Sequence, residues 1–304
     1  MNEKLARTAK RYMSGLSKMM TLGSILSLVA IGCGKPTPNC TQLWSAFDRN
    51  SIAEIGKLLQ GGLSADCTNQ KGETLLWSAI HRNDHNLVAL LVSHGADPLK
   101  VVANTTPLKF AVIHSDSEIV HLLAGASAVK PIMDKVQGAD ITIAAAFRGD
   151  KAVLKALLVE GFSTTRLDKG GFSPLHLVAN RDCAELLIDF GANINDQSNR
   201  DRQTPLHGAV SMHDPELVQY LLSHGANPNL RDVQGQTPLH YIAGDGVTGP
   251  VENMERIAKS LLIAKVDATL RDANGKTAYE IAVAKGNSEV AEALSSKPSA
   301  TRGH

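Results

Sequence analysis

Eleven histidines and four cysteines are the residues of this 304-residue chain best suited to chemistry, since imidazoles and thiolates ligate metals, move protons and act as nucleophiles. Their spacing argues against each of these uses. No set of histidines and cysteines falls at the short intervals a zinc site needs. No Gly-x-Ser-x-Gly turn is present to present a nucleophilic serine. Gly275, Lys276 and Thr277 lack the earlier glycine of a phosphate-binding loop. Three histidines do recur regularly: His176, His207 and His240 each close a tetrad of Ser or Thr, Pro, Leu and His, at nearly equal intervals. A residue repeated this way reads as part of a scaffold. The expectation is a chain with no catalytic residue, no cofactor and no metal, and therefore no enzyme.

The cysteines suggest modification instead. Lys4, Arg7, Lys10, Arg11 and Lys18 precede an apolar run from Met19 to Ile31. The run is shorter than the roughly 20 residues that a membrane span needs, so it fits the core of a cleaved export signal better. Met13 makes a more typical start for such a signal than Met1. Ala30, Ile31, Gly32 and Cys33 resemble a bacterial lipobox, with Ala30 where Leu is more usual. That resemblance implies a signal peptide over residues 1–32, a lipidated Cys33 opening a tether over 33–38, and, with Gly34 following, an outer-membrane anchor facing the periplasm. The alternative is an ordinary cleaved signal that contains a cysteine. Removal of residues 1–32 takes the net charge from +1 to −3, with 26 basic against 29 acidic residues. A near-neutral, slightly acidic chain lacks the footprint of a nucleic-acid binder.

Of the remaining cysteines, Cys40 and Cys67 flank one stretch of the chain, the first of its repeating units. Either they pair, which in an oxidising compartment contributes about 3 to 4 kcal/mol, or they stay as two small thiols. Cys183, beside Ala184, Leu186 and Leu187, reads as a buried small hydrophobe.

The elements that hold these residues repeat as well. The slot that opens each tetrad falls at Thr41, Thr74, Thr106, Asp140, Ser173, Thr204, Thr237 and Thr277, and only the last interval is clearly wider than the others. Within each unit, apolar residues stand three and four apart, as in Leu76, Ala79 and Ile80 or Leu108, Ala111 and Val112, and a second helical stretch carries a pair such as Leu90 and Leu91. The opening Thr suits an N-cap and the following Pro a first helical turn.

A period of about 33 with this tetrad is similar to the ankyrin-repeat family. The likeness runs over residues 39–296, ahead of a flexible tail at 297–304. It implies an all-α solenoid of about eight helix-turn-helix repeats with β-hairpin finger loops, in which the tetrad histidine hydrogen-bonds backbone between repeats. Three repeats depart from the pattern. The fourth, with Asp140, Ile141, Thr142 and Ile143, lacks a clear finger before it. The fifth is short, with its interhelix turn near Arg181 and Asp182 expected to be truncated. The seventh carries extra residues between Gly244 and Asn253.

The same resemblance implies that another protein is bound, through fingertips and the solvent-facing positions of the first helices. Counted from the opening slot, the candidates on the helices are Arg82, Phe110, His114, Phe147, Arg148, Met212 and Tyr241, and those on the fingers Arg166, Arg200, Arg202 and Arg231. Aromatic residues, Met and Arg are common interface anchors, and basic fingertips suit an acidic partner. The expected function is a non-catalytic, lipid-anchored binding protein of the bacterial envelope, monomeric when free. One concrete reading is an immunity protein that neutralises a secreted, periplasm-acting toxin such as a phospholipase effector. The alternative is a periplasmic scaffold or stress-protection partner of a resident enzyme.

Overall fold

The computed structural model describes residues 40–133, 135–244 and 250–295. The signal, the tether with Cys33, the tail and the middle of the 244–253 insertion lie outside the described residues. The helices, in chain order, are α1 (Cys40–Asp48), α2 (Ile52–Gln60), α3 (Leu75–His81), α4 (His85–Ser93), α5 (Pro107–His114), α6 (Ser117–Ala124), α7 (Val136–Arg148), α8 (Lys151–Val159), α9 (Arg181–Asp189), α10 (Pro205–Ser211), α11 (Pro215–Ser223), α12 (Pro238–Gly244), α13 (Val251–Ile263), α14 (Ala278–Lys285) and α15 (Ser288–Ser295). Two 3-10 turns, Lys130–Ile132 and Pro174–Leu177, interrupt the series.

Capping explains where these helices begin. Thr74, Thr106, Thr204 and Thr277 each accept the N–H three residues on, so the tetrad's first residue opens the first helix of its repeat. The second helices open on Asp84, Asp116, Asp150, Asn180 and Asp214, whose side chains accept backbone N–H groups in the same manner. Each cap contributes about 1 kcal/mol. Among the described residues the extended structure is limited to isolated bridges, Thr68 to Thr74, Val102 to Thr105 and Arg271 to Thr277. The fingers are therefore hydrogen-bonded turns with little strand.

The described residues divide into two compact units, 40–145 with 150–163, and 146–149 with 164–295. In the first, Leu43, Leu76, Leu87, Leu91, Leu108, Ile119, Leu123 and Leu154 are wholly buried between helix pairs. Burying a Leu or Ile side chain is worth about 1.5 to 3 kcal/mol. Cys40 and Cys67 are joined in a disulfide, with Cα atoms 5.5 Å apart. It closes the first helix pair at the point where the sequence left pairing open.

The fourth repeat departs from the expected phase. Asp140 lies inside α7, which starts earlier, at Val136, so it does not occupy the N-cap. The preceding segment makes the Lys130–Ile132 turn instead of a finger. Gly138 packs so closely on that turn that a Cβ would overlap the Ile132 and Met133 carbonyl oxygens.

In the second unit the shortening of the fifth repeat also falls elsewhere than expected. Its first helix is reduced to the 3-10 turn Pro174–Leu177, after which Val178 is extended, while α9 begins on a normal cap at Asn180. The lost turn leaves Ala179 N–H to donate to the Ala146 carbonyl at 3.0 Å, and Asn180 Nδ2 to donate to the Gly149 carbonyl at 2.8 Å. The surplus of the seventh repeat lengthens its second helix, α13, to 13 residues against 9 in α11. Cys183 is buried in α9, as its neighbours suggested.

Candidate functional site

The tetrad histidines form a ladder in the second unit. His176 Nδ1 accepts the Ser173 N–H at 3.1 Å, and its Nε2–H donates to the Gln203 carbonyl at 2.9 Å. His207 repeats this with Thr204 N–H at 3.1 Å and the Gln236 carbonyl at 3.2 Å. His240 does so with Thr237 N–H at 3.2 Å and the Lys276 carbonyl at 3.3 Å. Each ring thus ties its own helix start to the base of the following finger. Only the neutral ring with its proton on Nε2 satisfies both partners. Burial pushes all three below the usual histidine range, His207 to about 4. These histidines are fully used as links, with no capacity left for acid–base work near neutrality.

Other residues take this slot elsewhere. Glu280 Oε2 accepts the Thr277 N–H at 2.8 Å and completes a capping box, but a carboxylate has no proton to pass on. In the first unit the slot holds Trp44, Trp77, Lys109 and Ile143.

The fingers are built on an acidic or amide residue turned inward. Asp168 Oδ1 accepts the N–H groups of Gly170 and Phe172 at 2.8 and 2.9 Å. Asp232 does the same for Gln234 and Gln236, and Asp272 for Asn274 and Lys276. In the first unit Asn69 plays this part for Lys71 and Glu73. Burial raises the Asp232 carboxyl above its ordinary range. Asp272 is held below its own, because N–H donation by Lys276 and Asn274 outweighs its burial. A left-handed glycine, Gly235 or Gly275, then turns the chain back.

Arg166, Arg200, Arg202 and Arg231 are exposed on these fingers. Arg231 Nε donates to the Gly235 carbonyl at 2.9 Å and its guanidinium also reaches the Arg271 carbonyl. Arg202 reaches Gln197 at 3.5 Å and has a positive φ.

Tyr241 is a correction. It was expected to face solvent, but it is 4% exposed. Its hydroxyl donates to Asp232 Oδ2 at 2.9 Å and accepts from Gln203 Nε2 at 2.7 Å. Burial pushes its pKa upward, so it joins two fingers from inside. Met212, Phe147 and Arg148 are half-buried in the same unit.

In the first unit the exposed ends of α3 and α5 carry a run of rings. Phe110 lies 4.6 Å from Trp77, 4.4 Å from His81 in a stacked arrangement, and 4.5 Å from His114. Arg82 sits 3.8 Å above the Phe47 ring, a cation–π contact. Arg82 and His114 are exposed and Phe110 is half-buried among its neighbours. Trp77 and Phe47 were absent from the sequence-derived candidates. Their signal was a tryptophan in the histidine slot, and a phenylalanine one repeat before Arg82.

The family model for ankyrin repeats in three copies matches residues 43–134 and 141–232, and the chain belongs to the ankyrin-repeat family. It is 30% identical over 197 residues to inversin of Homo sapiens, covering 63% of this chain and 18% of that protein. It is 31% identical over 211 residues to the B-cell lymphoma 3 protein homolog of Mus musculus, covering 64% of this chain and 47% of that one. The chain therefore spans less than half the length of either relative. Among solved structures it resembles the ankyrin repeat domain of Bcl-3, described as a member of the IkappaB protein family, with 21% identity, a TM-score of 0.49, and coverage of 83% of this chain and 97% of that one.

Proposed function

We propose that this chain is a non-catalytic protein-binding module of the bacterial envelope, held by a lipid on Cys33 at the outer membrane, and that it works as an immunity protein by occluding a secreted toxin such as a phospholipase effector. One observation carries the reading of binding without chemistry. The histidines best placed for catalysis are consumed as buried, neutral links, while Arg82, of a type enriched at interfaces, and His114 are exposed at the ends of first helices. The Cys40–Cys67 bond supports an oxidising compartment.

The test is affinity capture from envelope extracts with the full chain, with mass spectrometry of the captured protein and of the bait's amino terminus. Recovery of one secreted toxin whose activity is lost in the complex is the expected result. A resident enzyme that stays active in the complex points to a scaffold and overturns the immunity reading. Arg82→Ala with His114→Ala is expected to weaken capture by about tenfold or more, with a thermal melt lowered only by the loss of about 0.5 to 1 kcal/mol of cation–π contact with Phe47.

A further inference from the structure

We propose that the fingers of the second unit are a docking row for an extended acidic segment of the partner, in polyproline-II conformation, with a carboxylate at about every third residue. This rests on the protein-binding reading above and specifies the partner's chemistry.

Charge is segregated on this unit. Lys169, Arg200, Arg202, Arg231, Arg271 and Lys276 are all exposed on the fingers. The finger carboxylates of Asp232 and Asp272 are buried, and that of Asp168 is turned onto its own loop's N–H groups. Asp201 is half-buried. Glu280 is exposed, and Arg271 engages it at 3.1 Å. No ion pair with Lys169, Arg200 or Lys276 occurs among the described residues. The second-helix side of the unit is acidic in excess, with Asp182, Asp189, Glu216, Glu252, Asp267 and Glu292 exposed against Arg181 and Lys265. Arg256 and Lys259 there are paired with Glu216 and Glu255. An acidic ligand is drawn to one side of this unit and repelled by the other.

Spacing gives the ligand its form. The fingers are linked by backbone: Asn199 N–H donates to the Gly171 carbonyl at 3.1 Å, Val233 to Asp201 at 3.0 Å, and Ala273 to Gln234 at 2.8 Å. Each finger is two backbone passes wide and one hydrogen-bonded step from the next, so equivalent finger positions recur about every 10 Å; Arg231 and Arg271 share one such position, and Lys169 and Arg200 stand near the tips of the two fingers before them. A polyproline-II chain has three residues per turn and rises about 3.1 Å per residue, which returns the same face every ~9 Å. The steps match within an ångström. A β-strand alternates faces and would turn every third side chain away. Nucleic acid fits less well, because the aromatic residue of these fingers, Phe172, is buried and offers no stacking platform.

The experiment uses the full chain and a fluorescent 15-residue peptide of five Glu-Pro-Pro units. Its controls are an isomer with the five Glu residues in one block and a single-stranded oligothymidylate of equal length. The spaced peptide is expected to bind about tenfold more tightly than the isomer, to weaken with salt, and to lose about tenfold in affinity in Arg200→Glu with Lys276→Glu, both exposed sites. The proposal is overturned if the two peptides bind alike, if the charge-reversed chain binds the spaced peptide unchanged, or if the oligothymidylate binds more tightly. If the charge-reversed chain still captures the natural partner at full strength, the docking row is wrong and the protein-binding reading stands. If the wild-type chain captures no protein, both fall.

Discussion

At the scale of the residue, the histidine ladder converts pH into stability. His207 is neutral in the fold down to about 4, whereas in the unfolded chain it takes a proton near 6.5. A depressed folded pKa means that the unfolded state binds more protons as pH falls, so stability is complete above about 6.5 and is lost progressively toward pH 4. At 1.36 kcal/mol per unit this amounts to about 3 kcal/mol for His207, with His176 and His240 adding in the same direction. Urea unfolding measured between pH 7.5 and 4 should show this slope. His207→Asn should be less stable at neutral pH and flatter with pH; an unchanged slope would remove His207 as its origin.

The tetrad was legible because it repeats, but residues counted outward from it were legible only in part. Tyr241, four residues after its opening slot, reads as solvent-facing from the count, yet it is buried, as Gly208 is at the same position one repeat earlier, because the neighbouring repeat covers it. Of the residues seven and eight after the slot, His81, Arg82 and His114 are exposed, whereas Ile113, Phe147, Arg148, Ser211 and Met212 are half-buried. Nothing in a single sequence tells how far one repeat overlaps the next.

At the scale of the element, the approach of first helices sets which side chains the repeat tolerates. A Cβ at Gly208 would overlap the His176 carbonyl oxygen, and that carbonyl is backbone that cannot rotate away. Gly208→Ala would otherwise favour the helix by about 1 kcal/mol. Here it is expected to destabilise by at least about 2 kcal/mol, since overpacking and repeat separation outweigh propensity. Chemical denaturation decides the sign, and a stabilised variant would show that the helices have room to part. The starts of α3, α5, α10 and α14 were readable from the opening Thr, whereas Thr41 lies inside α1 and does not cap it. The Val136 start of α7 and the collapse of the fifth repeat's first helix were not, the latter because residues 173–176 still spell the tetrad. Only the packing shows that the helix stops there, with Ala179 bonded to Ala146.

At the scale of the whole molecule, a repeat protein's stability is the sum of its repeats and their contacts with neighbours. A local staple therefore has a local effect. Removing the disulfide with Cys40→Ser and Cys67→Ser is expected to cost about 3 kcal/mol, concentrated in α1 and α2. Hydrogen exchange should speed up there and stay unchanged in α10 through α12; uniform acceleration would contradict the additive picture. The family and its repeat count were plain from the sequence, whereas the partner is not written in it, because the exposed candidates such as Arg82 and Arg200 occupy positions that the repeat pattern does not fix.

The same disulfide has a consequence for a chain exposed to proteases. Arg49 and Asn50 form the exposed turn between α1 and α2, inside the closed loop, and exposed loop tips are where nicks concentrate. A cut after Arg49 would break the peptide chain without releasing either piece, since Cys40 stays bound to Cys67. Whatever precedes Cys40, and with it the lipid proposed for Cys33, would then remain attached to the repeats through sulfur alone.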